Sequence, residues 1–397
     1  MTHSVGQHPR RNVALVYPAA VPWMAMFERG VTEYAEHHGG WSVIVSPPSL
    51  RWAGEQSLTL ESLRGWPGDG VIAAIGTVAE IRAARRLGKP VVNIAATKRD
   101  VDLPRVMPDH CGMGRLAAEH LLQRGLRRLA YYGFRDLWFS EQRCQGFAER
   151  AREAGVPCEV LEVPTGQDPR QTWLDRVAPL TQFLRRLRPP VGLLAVQDYR
   201  ARAVLDEAQR LGLRVPHDLA VVGIDDDPTI CEFCRPTLSS VSRNSYRLGY
   251  ETAAMLDHLM EGRTPPPGDV LVPSDGVVAR RSTDTIAVED LHVGAAVHFI
   301  HDHPGEAFGV HEVVEATTIS RRLLEIRFRR LLGCTLYDYI CRKRMERAKQ
   351  LLTAPERIKL HKVAKLSGFS SLDQMRLVFK RMIGMSPLEY RRKEWRR

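Results

Sequence analysis

The stretch SGFSSLDQMRLVFKRMIGMSPLEYRR, Ser367 to Arg392, reads as the second half of a helix-turn-helix. A short helix over Lys362–Leu366 runs into Ser367-Gly368, a turn pair, and Ser371 then caps a helix over Leu372–Met382. At helical spacing Met375 and Phe379 point inward, while Leu372, Asp373, Arg376 and Lys380 point outward.

The same pattern occurs once more upstream. Val310–Ala316 makes a short amphipathic helix, Thr317 and Thr318 lie in the turn, and Ser320 caps a helix to about Arg330. Ile319, Leu324, Phe328 and Leu331 form its apolar side; Arg321, Arg322, Glu325 and Arg329 lie opposite. A connecting helix from about Leu336 to Leu352 carries Ile340, Met345, Ala348, Leu351 and Leu352 as its stripe. Its Arg342, Lys343, Arg344 and Arg347 are exposed or line a phosphate-facing edge. Helices of this kind fit the major groove of duplex DNA, where Arg reads guanine edges and other cations hold phosphates.

Charge agrees with this reading. Residues 291–397 hold 22 Lys and Arg against 11 Asp and Glu, whereas residues 1–290 hold 35 against 35. A basic module has been joined to a neutral one, and basic modules meet polyanions.

The neutral part alternates β-rich runs with amphipathic stretches. Strands are expected at Val13–Tyr17, Trp41–Val45, Gly70–Ile75, Pro90–Asn93, Arg128–Tyr132, Glu159–Val163, Val191–Ala195 and Leu219–Gly223. Helices are expected at Met24–His38, Gly112–Arg124, Ser140–Ala154, Tyr199–Leu211 and Ser245–Met260. The fold class is therefore α/β, two lobes of parallel sheet with covering helices, followed by an all-α domain with two helix-turn-helix units. The expected domains are a tail at 1–11, a sensor at 12–284, a linker at 285–290 and a DNA-binding domain at 291–397.

In open α/β sheets ligands sit at the carboxyl ends of strands. Polar residues there are Asp109, Arg143, Asp198 and Asp225, with Trp138 and Phe139 close to Arg143. Carboxylates and a guanidinium fork suit sugar hydroxyls, and an aromatic ring suits the C–H face. Asp109 reads equally well as a helix N-cap, and Trp138 and Phe139 as core or hinge packing, while Asp226 and Asp227 read as a solvated loop rather than as ligands.

Seven scattered cysteines give no disulfide framework and suggest a reducing, cytoplasmic setting. Cys231 and Cys234 have no second pair at zinc spacing, and His301 and His303 sit before a Pro-Gly turn, so no metal or cofactor is expected. No window is apolar enough to span a bilayer. The chain lacks a phosphate-binding loop, a nucleophile elbow and a dinucleotide fingerprint, which favours binding over catalysis.

Several motifs carry a resemblance. DHCGMGRLAAEHLLQRGLRRLAYYG at Asp109–Gly133, RCQGF at Arg143–Phe147, LLAVQD at Leu193–Asp198, VPHDLAVVGIDD at Val215–Asp226 and TLSSV at Thr237–Val241 resemble LacI-type regulators and periplasmic sugar-binding proteins. That resemblance implies sugar contacts for Arg143 and Asp225, and leaves open whether Gln197 or Asp198 reaches the ligand. Residues 291–397 resemble the AraC-type DNA-binding domain through G-F-S, Phe379-Lys380 and the Gly384–Arg391 ending. Met375 stands where that family prefers Phe, and Thr317-Thr318 replaces its usual small-residue turn.

A LacI-like sensor ahead of an AraC-type reader resembles the xylose operon regulators of bacteria, as do GDGVIA at Gly68–Ala73, AVQDYRAR at Ala195–Arg202 and ARRSTD at Ala279–Asp284. The resemblance implies a D-xylose-dependent activator acting as a homodimer on repeated half-sites of double-stranded DNA, with RNA polymerase as a further partner. Another sugar or a nucleoside as effector, and a sugar-modifying enzyme fused to a DNA-binding tail, are the alternatives.

Overall fold

The computed structural model describes residues 11–17, 23–45, 58–165, 170–284, 290–353 and 358–394. The chain divides into two compact units, residues 1–284 and 285–397.

The first unit holds two parallel sheets. In the first lobe, β1 (Arg11–Val16), β2 (Trp41–Val45), β3 (Gly70–Ala73) and β4 (Val91–Asn93) lie in the order β2-β1-β3-β4. Alternate residues face opposite sides, as a pleated strand requires. Val13, Leu15, Ile72 and Val92 join one core with α1 (Met24–His37) and α8 (Ser245–Met260). Ala14, Val16, Val71 and Val91 join another with α2 (Val78–Arg86). Burial on both faces explains why β3 is apolar throughout and why β1 is apolar from Val13 to Val16.

A short pair, β5 (Val106–Pro108) with β11 (Val270–Val272), adjoins this lobe. The second lobe contains α3 (His110–Leu122), β6 (Leu129–Phe134), α4 (Trp138–Glu153), β7 (Cys158–Val163), α5 (Trp173–Arg186), β8 (Val191–Ala195), α6 (Asp198–Arg210), β9 (Leu219–Asp225), α7 (Pro228–Cys231), β10 (Ser239–Ser242) and β12 (Val277–Val278). Its sheet order is β12-β10-β9-β8-β6-β7, with β12 alone antiparallel.

The chain thus passes between lobes three times: after Pro108, at Arg243-Asn244, and at 273–276. Side chains tie the crossings together. Asn244, at φ 53°, donates from Nδ2 to the Asp275 carboxylate at 2.7 Å and to the Pro273 carbonyl at 3.2 Å. Ser274 Oγ donates to the Ser242 carbonyl at 2.6 Å. Arg105 leads into β5 with its guanidinium on Asp269 at 2.7 and 2.8 Å and on the carbonyls of Lys98 and Arg99.

Each lobe contains one close helix crossing made possible by glycine. A Cβ on Gly30 or Gly249 would meet backbone of the facing helix at 2.0 Å in the α1–α8 pair. In the α3–α4 pair, a Cβ on Gly114 would meet the Arg143 carbonyl at 2.1 Å and one on Gly146 the Cys111 carbonyl at 2.0 Å. Only a residue without a side chain permits such an approach.

The second unit is helical: α9 (Leu291–Asp302), α10 (Val310–Glu315), α11 (Arg321–Leu332), α12 (Leu336–Thr353), α13 (Leu360–Leu366), α14 (Leu372–Ile383) and α15 (Pro387–Glu394). One core surrounds Leu324, Phe328 and Tyr339, and a second surrounds Met345, Met375 and Phe379, so α12 contributes to both.

Two of the expected boundaries shift by one residue. Arg11, assigned above to the tail, begins β1, pairs with Trp41 across the sheet and binds Asp257. Asp290, assigned to the linker, caps α9 and pairs with Arg327 at 2.9 Å, so it belongs to the helical unit. Residues 1–10 and 285–289 lie outside the described residues. His301 falls inside α9 rather than in a loop and meets the Tyr339 hydroxyl at 2.8 Å; His303 closes that helix.

Candidate functional site

The strand ends of the second lobe bring one charged cluster together. Arg143, on the second turn of α4, is fully buried at 0 % exposure. Its Nε donates to His110 Nδ1 at 3.2 Å, and its Nη1 donates to the Val196 carbonyl just past β8. Its Nη2 lies 3.5 Å from the Asp225 carboxylate but makes no hydrogen bond, an unused donor inside the protein. The Phe139 ring lies 5.1 Å from the guanidinium.

Asp225 ends β9 at φ 122°, and Asp226 follows at φ 53°. Two consecutive non-glycine residues in that region store strain, which proteins retain mostly at functional positions. The Asp225 carboxylate also receives Arg243 Nη1 at 3.2 Å. Arg243, immediately after β10, stacks its guanidinium 3.9 Å from the Trp23 ring of the first lobe, and its Nε is a second buried donor without a partner. Burial pulls its pKa down to about 10, against the opposing pull of Asp225.

His110 opens α3 and is held well below the ordinary imidazole range, first by burial and then by Arg143, Arg243 and Arg105. Its neutral ring therefore accepts from Arg143. The other lobe closes one edge of the cluster: the amides of Trp138 and Phe139 donate to the carbonyls of Thr97 and Ala96 at 3.1 and 2.8 Å. Trp138 stacks on Arg105 at 4.5 Å.

Two other expected ligand residues are occupied differently. Asp109 accepts from the Gly112 amide at 2.8 Å as the N-cap of α3, the alternative weighed above. It lines a separate hollow with Arg115, Glu119 and Arg150. Asp198 is 1 % exposed, and its oxygens take the Ser240 hydroxyl at 2.5 Å and the Asp227 amide at 2.8 Å. Its pKa is pushed up to about 7, first by burial and then by the Asp225 carboxylate. Asp198 thus supports the site from behind. Asp226 and Asp227 are not a solvated loop: Asp226 pairs with Arg280 at 2.7 Å, and Asp227 caps α7.

Arg243, His110 and Trp23 were not singled out from sequence. Arg243 had a readable signal, a cation two residues past the TLSSV motif. His110 was hidden beside Asp109, and Trp23 belongs to the other lobe. The cluster offers hydrogen-bond donors, a shared carboxylate and two ring faces. Among the described residues no group of His, Cys, Asp and Glu is placed to hold a metal.

In the helical unit, Ser320 caps α11 by accepting from the Leu323 amide, and Ser371 caps α14 by accepting from the Gln374 amide at 3.1 Å. Gly333 and Gly384, at φ 68° and 78°, end these helices. Arg321, Arg322 and Arg329 are exposed on α11; Asp373, Arg376 and Lys380 are exposed on α14. Four expectations change here. Glu325 is half-buried and accepts from the Leu336 amide at the start of α12 at 3.4 Å. Leu372 packs against the second core, and Leu331 is 43 % exposed rather than inward. Arg344 is neither exposed nor on a phosphate-facing edge, being buried on the Phe308 carbonyl; Arg347 is half-buried and its Nε holds the Leu366 carbonyl at 2.7 Å.

Fold and cluster define a two-part architecture: a bilobal binding-protein-like sensor, then a double helix-turn-helix unit. Residues 118–283 match the periplasmic binding protein-like domain family, and residues 313–393 match the helix-turn-helix domain family. The chain is similar along nearly its whole length to the xylose operon regulatory protein of Escherichia coli (strain K12), 28 % identical over 96 % of this chain and 97 % of that one. The xylose operon regulatory protein of Haemophilus influenzae is 29 % identical over 81 % of this chain and 84 % of its own. A solved structure of a xylose-binding transcription activator superposes with a TM-score of 0.73 at 27 % identity, covering 98 % of this chain and 99 % of that one. A transcriptional regulator solved with cellobiose matches the sensor alone, with a TM-score of 0.54 at 26 % identity over 70 % of this chain and 87 % of its own. Over nearly its whole length this chain is thus similar to xylose operon regulators, with a periplasmic-binding-protein-like sensor ahead of an AraC-type reader.

Proposed function

We propose that the protein is a DNA-binding transcription regulator that responds to D-xylose and activates genes for its use. The observation that carries this is the cleft cluster itself: two buried guanidiniums share Asp225 and each keeps an unused N–H donor. A buried donor without a partner is costly, and a sugar hydroxyl relieves that cost. The names of the relatives point to xylose among sugars, and to regulation rather than catalysis.

The helix α3 supplies a route from the ligand to the end of the sensor. Its first residue, His110, touches Arg143. Near its other end, His120 Nε2 meets Thr283 Oγ1 at 2.8 Å, and Arg124 Nε holds the Thr283 carbonyl at 2.7 Å. Thr283 is fully buried just before the linker. Sugar that favours one lobe arrangement shifts α3 and, through Thr283, the start of the linker; this requires unequal affinity for the two arrangements. We take the working form to be a cytoplasmic homodimer on repeated half-sites, with RNA polymerase as partner.

A thermal-shift panel of D-xylose, other pentoses, hexoses and nucleosides tests the effector. D-xylose is expected to raise the melting temperature most. A larger shift with another compound replaces the effector and keeps the regulator; no shift with any compound removes the sensor reading.

A further inference from the structure

The second helices of the two helix-turn-helix units align without a gap from cap to stop. Ser320 corresponds to Ser371, Phe328 to Phe379 and Gly333 to Gly384. Tyr339 and Tyr390 continue the match, each standing edge-on to its phenylalanine at 5.4 and 6.0 Å.

In this register the sixth residue after each cap is a large aliphatic, Ile326 in α11 and Leu377 in α14. The fourth and eighth residues are buried in both helices. At about 100° per residue, the sixth lies opposite that buried face. Ile326 is 57 % exposed and Leu377 is 72 % exposed. Each is therefore a large apolar side chain on the solvent face of its helix, beside Arg322, Arg329 and the exposed Leu323 on α11 and beside Asp373, Arg376 and Lys380 on α14, pointing away from its own core.

We propose that Ile326 and Leu377 each read the C5-methyl of a thymine, one in each of the two groove segments the unit covers. This rests on the DNA-binding reading above. The thymine methyl is the apolar feature of the major-groove edge, and an aliphatic side chain contacts it without needing hydrogen bonds. The charged neighbours Arg322 and Arg329 on α11, and Arg376 and Lys380 on α14, then hold phosphates or read adjacent polar edges.

The test uses the full chain and duplexes that it selects from a randomised pool. Each thymine is replaced in turn by uracil, which lacks only the methyl group, and affinity is measured at fixed salt. The wild type is expected to lose about fourfold at one thymine in each segment, the scale of one buried methyl group. Ile326→Ala should abolish the penalty in one segment and Leu377→Ala in the other, with each variant binding its uracil duplex as the wild type does. A flat uracil scan, variants that keep both penalties, or equal losses on thymine and uracil duplexes would overturn the proposal; the last would assign these side chains to backbone or protein contact. A chain that selects no duplex overturns the proposal together with the DNA-binding reading, whereas the other failures leave that reading intact.

Discussion

Two arginines converge on one carboxylate at the heart of the cleft, and a second carboxylate stands behind it. Asp198 is raised to about 7 because it is buried and faces Asp225. A folded-state pKa above the unfolded value means that the folded protein binds the proton more tightly. The resulting stability is fully present below about pH 4 and is lost as pH rises through about 7. Asp198→Asn fixes the neutral form at the cost of a constant offset beside the Asp227 amide. Urea unfolding at several pH values is therefore expected to show a shallower loss from pH 4 to 7 in the variant than in the wild type. Equal slopes would place the proton elsewhere. Residue-scale chemistry was only partly legible in sequence. Arg143 and Asp225 stood in motifs, but the roles of Asp198 and Glu325 depend on partners 42 and 11 positions away, Ser240 and Leu336. Local spacing cannot supply such partners.

The element that matters most is α3, gripped at both ends and pressed onto α4. Gly146→Ala would drive a methyl group to 2.0 Å from the Cys111 carbonyl, so the helices must separate. Thermal or urea unfolding should show a loss of roughly 1–3 kcal/mol, as for other overpacked sites; an unchanged stability would mean that the crossing is looser than described. Thr283→Val keeps the shape but removes the hydroxyl that joins His120 to Ser239, 2.8 and 2.7 Å away. If α3 transmits ligand state, this variant should still be stabilised by sugar while the effect of sugar on DNA binding falls. An undiminished effect would exclude the route. Among elements, the long helix Ser245–Met260 and the apolar strands Trp41–Val45 and Val191–Ala195 fall where their patterns put them. The three- and four-residue strands at Val106–Pro108 and Ser239–Ser242 were not readable. The first is ended after two apolar residues by a proline, and the second is built largely of serine held by Ser282, Thr283 and Arg280.

Over the whole molecule, the division of labour follows the division of charge. Residues 291–397 hold twice as many cations as anions, 22 to 11, while the sensor and its flanks are balanced. That asymmetry, together with the strand-helix alternation, made the two-part fold legible before any contact was known. The three crossings between lobes were not legible, since they depend on how distant segments pair. On the proposed function, sugar held by the sensor changes how the helical unit binds DNA. Fluorescence anisotropy of the full chain on its own selected duplex, with and without saturating D-xylose at one stated salt, tests this directly. The expected result is tighter binding with D-xylose for the wild type, and no sugar effect for Arg143→Ala, whose sugar-free affinity stays at the wild-type level. Identical binding curves for the wild type with and without D-xylose, or a full sugar effect in Arg143→Ala, would contradict it.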